Sequence, residues 1–240
     1  MMLTYAAAAT TAPLADPYLL SFDEWIGYDW RRYAALFASS PLLARLVLPN
    51  YWWIFLQPII AIGALTAGRR VQRLETYVLA MLVSLVITIG LFAMFPATTA
   101  WTYRGIDDSR IVDLGLPTAG EGWVHTLFII RSGGGRVLDG VQGCGIIAFP
   151  SFHCISALLF IWAMWPVRTT RPAVALSSGL MIAATPILGG HYLADLIGGA
   201  GVALLSVFAA KLCHSRLISL KSRFIPHKEG AGKEPILGLS

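Results

Sequence analysis

Two short segments carry residue types that do chemistry: Phe149-Pro150-Ser151-Phe152-His153 and Gly189-Gly190-His191-Tyr192-Leu193-Ala194-Asp195. Both adjoin long uncharged stretches, where an ionisable or strongly polar side chain is expensive and so marks a function. Pro150 suits the first turn of a helix, because the N–H it lacks has no partner there. A helix beginning near Ser151 points free amides and a positive dipole end at the membrane surface, a site for phosphate oxygens. His153 then sits one turn in. Gly189 and Gly190 suit the end of the preceding helix, where a residue at positive φ is needed. His191 opens the next helix, and Asp195 falls at i+4 on the same face. A carboxylate there takes a hydrogen bond from one imidazole nitrogen, fixes the tautomer and leaves the other nitrogen free to attack. The set reads as a nucleophilic histidine, its orienting carboxylate, and a second histidine serving as general acid and then base. Phosphoryl transfer through a phosphohistidine fits that set. A zinc site built on two His and one Asp is a rival, but the sequence offers no further ligand and a metal leaves the Pro150-Ser151 helix start unexplained. Neither metal nor cofactor is expected. A transporter or proton relay is the rival from another class. It calls for ionisable groups spread through the membrane depth, whereas here they collect at one face.

The elements that must position these residues follow from length and composition. His153 and His191 are 38 positions apart, which is one helix across a bilayer and one helix back at about 20 residues each. Of the 240 residues 56% are hydrophobic and 13% charged, about half the charge of a soluble domain. That excludes an ordinary water-soluble enzyme. Leu46–Ala67, Thr76–Phe95, Ile146–Val167 and Pro172–Gly190 carry no Asp, Glu, Lys or Arg, and Leu196–Ala210 reaches spanning length with His191–Asp195 as its first turn. The expectation is an all-α, polytopic membrane helix bundle of about five transmembrane helices, with Pro49 and Pro58 able to tilt or kink the first.

The net charge of +5 excludes nothing until the cations are placed. Eleven of the 18 fall at Arg69–Arg73, at Arg168 and Arg171, and from Lys211 onward. These segments share one face of a five-span alternation, so they set a cytoplasmic side and leave no basic face for nucleic acid. The segment from Pro96 to Gly145 and the Gly189–His191 junction then lie outside, and a bacterial inner (plasma) membrane with an extracytoplasmic active site is expected. Residues 1–45 are too charged to span. Ser21 with Glu24 fits a capping box, and Ile26, Trp30, Tyr33 and Phe37 follow at helical spacing, which predicts an amphipathic helix lying on the outer leaflet. Five spans put the N-terminus outside with no signal segment, so a start codon upstream is expected. Residues 46–213 form the catalytic domain, with active-site segments 96–153 and 185–195. Residues 214–240 form a basic cytoplasmic tail, disordered from Lys228. Cys144, Cys154 and Cys213 read as free thiols, and Trp101, Tyr103, Trp123 and His125 as interface residues.

These motifs resemble the type 2 phosphatidic acid phosphatase superfamily of membrane lipid phosphatases and phosphotransferases. Its second signature, Pro-Ser-x-His, is matched by Pro150, Ser151, Phe152 and His153, and its third by Gly189, His191 and Asp195. The resemblance implies His191 as nucleophile, Asp195 as its orienter, His153 as acid and Ser151 as a phosphate ligand. The first signature, Lys with Arg-Pro seven residues on, has no counterpart, and Thr185 stands where an Arg usually precedes the third-signature His. With Phe95-Pro96-Ala97-Thr98 before a long outer segment, the pattern is more similar to the branch of inositol phosphorylceramide synthases and bacterial relatives. Two missing cations leave a phosphate dianion under-neutralised, so another Arg must bind it. Arg131, between an apolar run and a Ser-Gly-Gly-Gly connection, is first choice and Arg104 second. The implied partners are a lipid phosphate or diphosphate substrate and membrane lipids. The implied activity is a lipid phosphatase if water is the acceptor, and a phosphotransferase if a lipid hydroxyl is. No oligomeric state is implied.

Overall fold

The computed structural model describes residues 2–106, 111, 116, 123–133 and 145–224. The side chains of Met2, Trp123 and 217–224 lie outside that description. So do Cys144, the outer-segment charges Asp107, Asp108, Arg110, Asp113, Glu121, Arg136 and Asp139, and the tail from 225. Among the described residues every regular element is a helix. Four short helices come first: α1 (Met2–Ala8), α2 (Asp16–Trp25), α3 (Trp30–Ala38) and α4 (Pro41–Val47). A 3₁₀ turn (Leu48–Trp52) leads into α5 (Trp53–Ala67), followed by α6 (Val71–Met94) and α7 (Trp123–Arg131). Then come α8 (Phe152–Met164), α9 (Arg171–Leu188) and α10 (Leu193–Phe224).

Among the described residues four stretches are long and apolar enough to cross a membrane, Pro41–Ala67, Val71–Met94, Arg168–Leu188 and Leu193–Arg216. The chain is thus an integral membrane protein with a polytopic helical bundle. The third expected span, Ile146–Val167, is helical only over the 13 residues of α8, about 20 Å at 1.5 Å per residue. Its first residues run without helix up to Pro150, and Ser151, in extended conformation, is the N-cap. A short helix suffices here because α8 is wrapped by α5, α6, α9 and α10. Most of its residues, from Cys154 to Met164, are buried, which suits a helix that is apolar all round. In the first span Pro49 lies in the 3₁₀ turn, while Pro58 is carried inside α5.

The N-terminal segment departs from the single amphipathic helix read from the sequence. Gly27, at φ +76°, separates α2 from α3, a backbone conformation that glycine adopts without penalty. Ser21 lies inside α2 and donates to Pro17 O at 2.8 Å, so it caps nothing, whereas Asp29 caps α3 by accepting from Arg31 N at 2.8 Å. The predicted apolar stripe faces the bundle. Trp30 and Phe37 are buried, Trp30 Nε1 donates to Pro186 O at 2.8 Å, and Tyr33 OH donates to Ala183 O at 2.7 Å. Pro186 O belongs to the last turn of α9, where carbonyls have no helical partner. These contacts lay α3 against the end of α9 that leads to His191.

Candidate active site

The connection from α9 to α10 holds His191. Gly189 N closes α9 by donating to Thr185 O at 2.9 Å, and Gly190 turns the chain at φ +67°. A side chain at Gly190 is excluded twice over: the conformation disfavours it, and a Cβ would lie 2.5 Å from Thr99 and 2.8 Å from Trp101. The Pro96–Trp101 connection reaches this glycine through Ala100 N, which donates to Gly190 O at 2.7 Å. His191 precedes α10 rather than forming its first turn, and Tyr192 is the last residue before the helix.

His191 Nδ1 lies 3.0 Å from Asp195 Oδ2, and the same oxygen accepts from Tyr192 N at 2.9 Å. The second bond is the acidic half of a capping box, with the third helical residue reaching back to the amide before the helix. It holds the carboxylate in place against the imidazole. A carboxylate at Nδ1 makes that nitrogen the donor and leaves the Nε2 lone pair available. His191 is 4% exposed and Asp195 fully buried, and Asp195 Oδ1 has no hydrogen-bond partner among the described residues.

The second signature meets the third through the main chain. Ser151 N donates to Asp195 O at 3.0 Å, and Cys154 Sγ donates to Leu196 O at 3.2 Å. This close approach needs glycine on α10: a Cβ at Gly199 would sit 2.7 Å from Ser151 O, and one at Gly198 2.8 Å from the Phe149 ring. Ser151 itself is buried, its hydroxyl accepting from Cys154 N at 3.5 Å as the N-cap of α8. His153 stacks on Tyr51 of the 3₁₀ turn, with ring centroids 3.9 Å apart and planes inclined by 21°. Its buried Nε2 has no hydrogen-bond partner among the described residues. The topology thus brings His153, His191, Asp195 and Ser151 to one end of the bundle, as the hairpin spacing requires.

The two arginines separate. Arg131 donates through Nη1 to Thr10 O at 3.0 Å and through Nη2 to Ala12 O at 2.6 Å. Both terminal nitrogens of the first-choice phosphate ligand therefore strap the N-terminal segment to α7. Arg104 acts electrostatically on Asp23, Tyr28 and Tyr192, which places it beside the His191 connection. Its Nε is buried without a hydrogen-bond partner among the described residues.

Sequence reasoning missed two carboxylates. Asp23 of α2 accepts from Leu193 N at 3.0 Å and from Ala194 N at 2.9 Å, so it caps α10 from another helix where Tyr192 has no oxygen suited to the task. Burial raises the Asp23 carboxyl above its ordinary value, opposed by those two amides and by Arg104. Asp16 accepts from Thr98 N at 3.1 Å, from Thr98 Oγ1 at 2.6 Å and from Tyr192 OH at 3.0 Å. It pins the Pro96–Trp101 connection to the residue after His191. The one local signal was Pro17 behind Asp16, an acidic helix start; nothing local pointed to where Asp23 binds.

The arrangement is a buried His–Asp pair with a second histidine at the same end of a membrane helix bundle, a set that suits phosphoryl transfer. The profile of the PAP2 superfamily matches residues 17–209, and the chain belongs to that superfamily. Its members are phosphatases and phosphotransferases, which places the chain among enzymes acting on phosphate esters. The match takes in α2, which the motif resemblance had left out. No curated protein and no solved structure matches the chain.

Proposed function

We propose that the protein is a membrane lipid phosphate phosphatase working through a phosphohistidine at the outer membrane leaflet. The observation that carries this reading is the 3.0 Å contact of His191 Nδ1 with a buried, doubly held Asp195 oxygen, which leaves Nε2 as the nucleophile. Nε2 forms a bond to phosphorus as the ester P–O bond breaks, and His153 gives its proton to the departing oxygen. Asp195 balances the positive charge that the imidazole then carries. In the second half His153 takes a proton from water, the water oxygen bonds to phosphorus and the N–P bond breaks. Arg104 replaces Arg131 as the leading phosphate ligand, because its Nε has no hydrogen-bond partner among the described residues and a guanidinium suits phosphate geometry. Ser151 caps α8 and so aims the first-turn amides of Phe152 and His153 at the same anion. The outer-leaflet assignment rests on the positive-inside rule.

A second reading is transfer of a phospho-head group to a lipid hydroxyl, as in inositol phosphorylceramide synthases. It is favoured by the shielding of His191 and Asp195 under α2 and α3, since transfer demands that water be kept from the phosphoenzyme. Purified protein assayed with phosphatidic acid, with a polyprenyl diphosphate, and with a phospholipid plus ceramide separates the two. Free phosphate from either of the first pair supports the phosphatase, and a new phosphosphingolipid without free phosphate supports the transferase. Full activity in His191→Ala would refute both.

A further inference from the structure

At the end of the bundle away from the histidines a cavity of about 490 Å³ opens between the start of α6, the end of α8 and α10. Trp162 in its wall is nine residues beyond His153 on α8, about 14 Å of helix rise, and Lys211 is 16 residues beyond Asp195, about 24 Å. The Arg73 guanidinium lies 3.6 Å from the centroid of the Trp162 ring. It donates from Nε to Ala163 O at 3.4 Å and from one terminal nitrogen to Trp162 O, carbonyls of the last turn of α8. Those bonds hold the fork rigid. Lys211 Nζ stands 5.7 Å from the same ring centroid, and Arg70 adds a further positive field at Arg73. The nearest described carboxylate on this wall, Glu75, faces His214 Nδ1 at 3.7 Å and is 58% exposed, so it sits at the rim. Two cations gathered on one indole beside a cavity repel each other, and an anion seated between them relieves that repulsion.

We propose that this cavity binds the phosphodiester of an anionic phospholipid head group. Its volume is in the range of small-molecule sites, the indole suits the glycerol level of the membrane interface, and basic pockets between membrane helices take anionic head groups. A zwitterionic head group brings its own cation and gains less. Inorganic phosphate shares the recognition chemistry and is separated by experiment. The site lies apart from the histidines and stands whether or not the phosphatase reading does.

The test is the melting temperature of the full chain in detergent micelles at constant ionic strength. Phosphatidylglycerol, phosphatidylcholine and inorganic phosphate are titrated separately. Phosphatidylglycerol gives a saturable rise that phosphatidylcholine does not reproduce. Lys211→Glu weakens its apparent affinity at least tenfold, Lys211→Gln weakens it in the same direction, and His191→Ala leaves it unchanged. Lys211 is exposed, so these variants avoid the helix-capping role that complicates Arg73. An equal response of Lys211→Glu and the parent chain, or no response to phosphatidylglycerol, overturns the site. An equal rise with inorganic phosphate overturns the lipid assignment.

Discussion

Asp23 offers a quantitative test of how the N-terminal helices serve the site. Its carboxylate holds the amides of Leu193 and Ala194, the first two of α10, and is 1% exposed. A hydrogen bond to an ionised group contributes about 1.5–3 kcal/mol, and a lost N-cap costs about 1–2 kcal/mol in total when water replaces it. The two bonds together set an upper limit of about 3–6 kcal/mol, and water has little access here, so Asp23→Ala should cost about 2–4 kcal/mol, between that limit and the cap figure. That is survivable for a domain with roughly 5–15 kcal/mol of stability. The catalytic effect comes from geometry. Asp195 is the third residue of the turn that Asp23 pins, so fraying shifts the oxygen that orients His191, and a misplacement of about 1 Å costs on the order of 100-fold in rate. We expect kcat per folded enzyme to fall about 10–100-fold with KM nearly unchanged. Asp23→Asn, which keeps one acceptor but turns an amide N–H₂ toward the other backbone donor, should fall between. The assay is phosphate release from a short-chain lipid phosphate, run beside a melting curve. A lowered melting temperature with unchanged kcat makes Asp23 structural only. No change in either refutes the capping argument.

Four further outcomes follow from the same contacts. Arg131→Ala should lower the melting temperature by releasing Thr10 and Ala12 while leaving kcat/KM of folded enzyme within about threefold, whereas Arg104→Ala should raise KM at least tenfold, with steady-state kinetics on both variants as the check. Gly199→Ala should destabilise by about 1–3 kcal/mol because its Cβ meets Ser151 O, while Gly201→Ala, with open space around it, should be neutral or stabilising in a denaturant melt. Cysteine introduced at exposed Ser132 should react with a membrane-impermeant maleimide in intact cells; reaction only after lysis reverses the orientation. Activity should survive a chelator such as EDTA, and its loss would revive the zinc reading.

The catalytic core was legible because its signals are local. Pro150 before Ser151 marks a helix start, paired glycines mark a helix end, and four residues separate a histidine from a carboxylate on one face. The structure keeps the helix start, the helix end and the His–Asp contact but alters their geometry: α8 begins at Phe152, so Pro150 precedes the N-cap, and α10 begins at Leu193, so His191 meets Asp195 from the connection before the helix. What failed to show was tertiary. Asp23 and Leu193 are 170 positions apart and Arg131 and Ala12 119, and no periodicity reports such pairs. The acids of the first 45 residues served only as an argument against a membrane span, and they said nothing of partners inside the protein. A carboxylate avoids lipid equally well by capping a neighbour's amides. The stripe Trp30, Tyr33, Phe37 had the right period, but its partner is the end of α9 rather than the lipid surface.

The three buried carboxylates bear on what the proposed mechanism asks of an arginine. Asp16, Asp23 and Asp195 are each at most 1% exposed, and a buried charge without compensation costs several kcal/mol. Their hydrogen-bond partners are amides, hydroxyls and one imidazole rather than cations. Such donors stabilise an ionised carboxylate without cancelling its charge, so an ionised carboxylate here gives the end of the bundle around His191 a negative field. In the proposed reaction that field favours the positive charge the imidazole takes on as it attacks phosphorus. The same field opposes the approach of an anionic phosphate. A guanidinium spent on a protein carboxylate would leave that opposition in place. On the proposed mechanism Arg104, whose Nε has no hydrogen-bond partner among the described residues, is the donor for the incoming anion. Arg131 has both terminal nitrogens engaged on main-chain carbonyls.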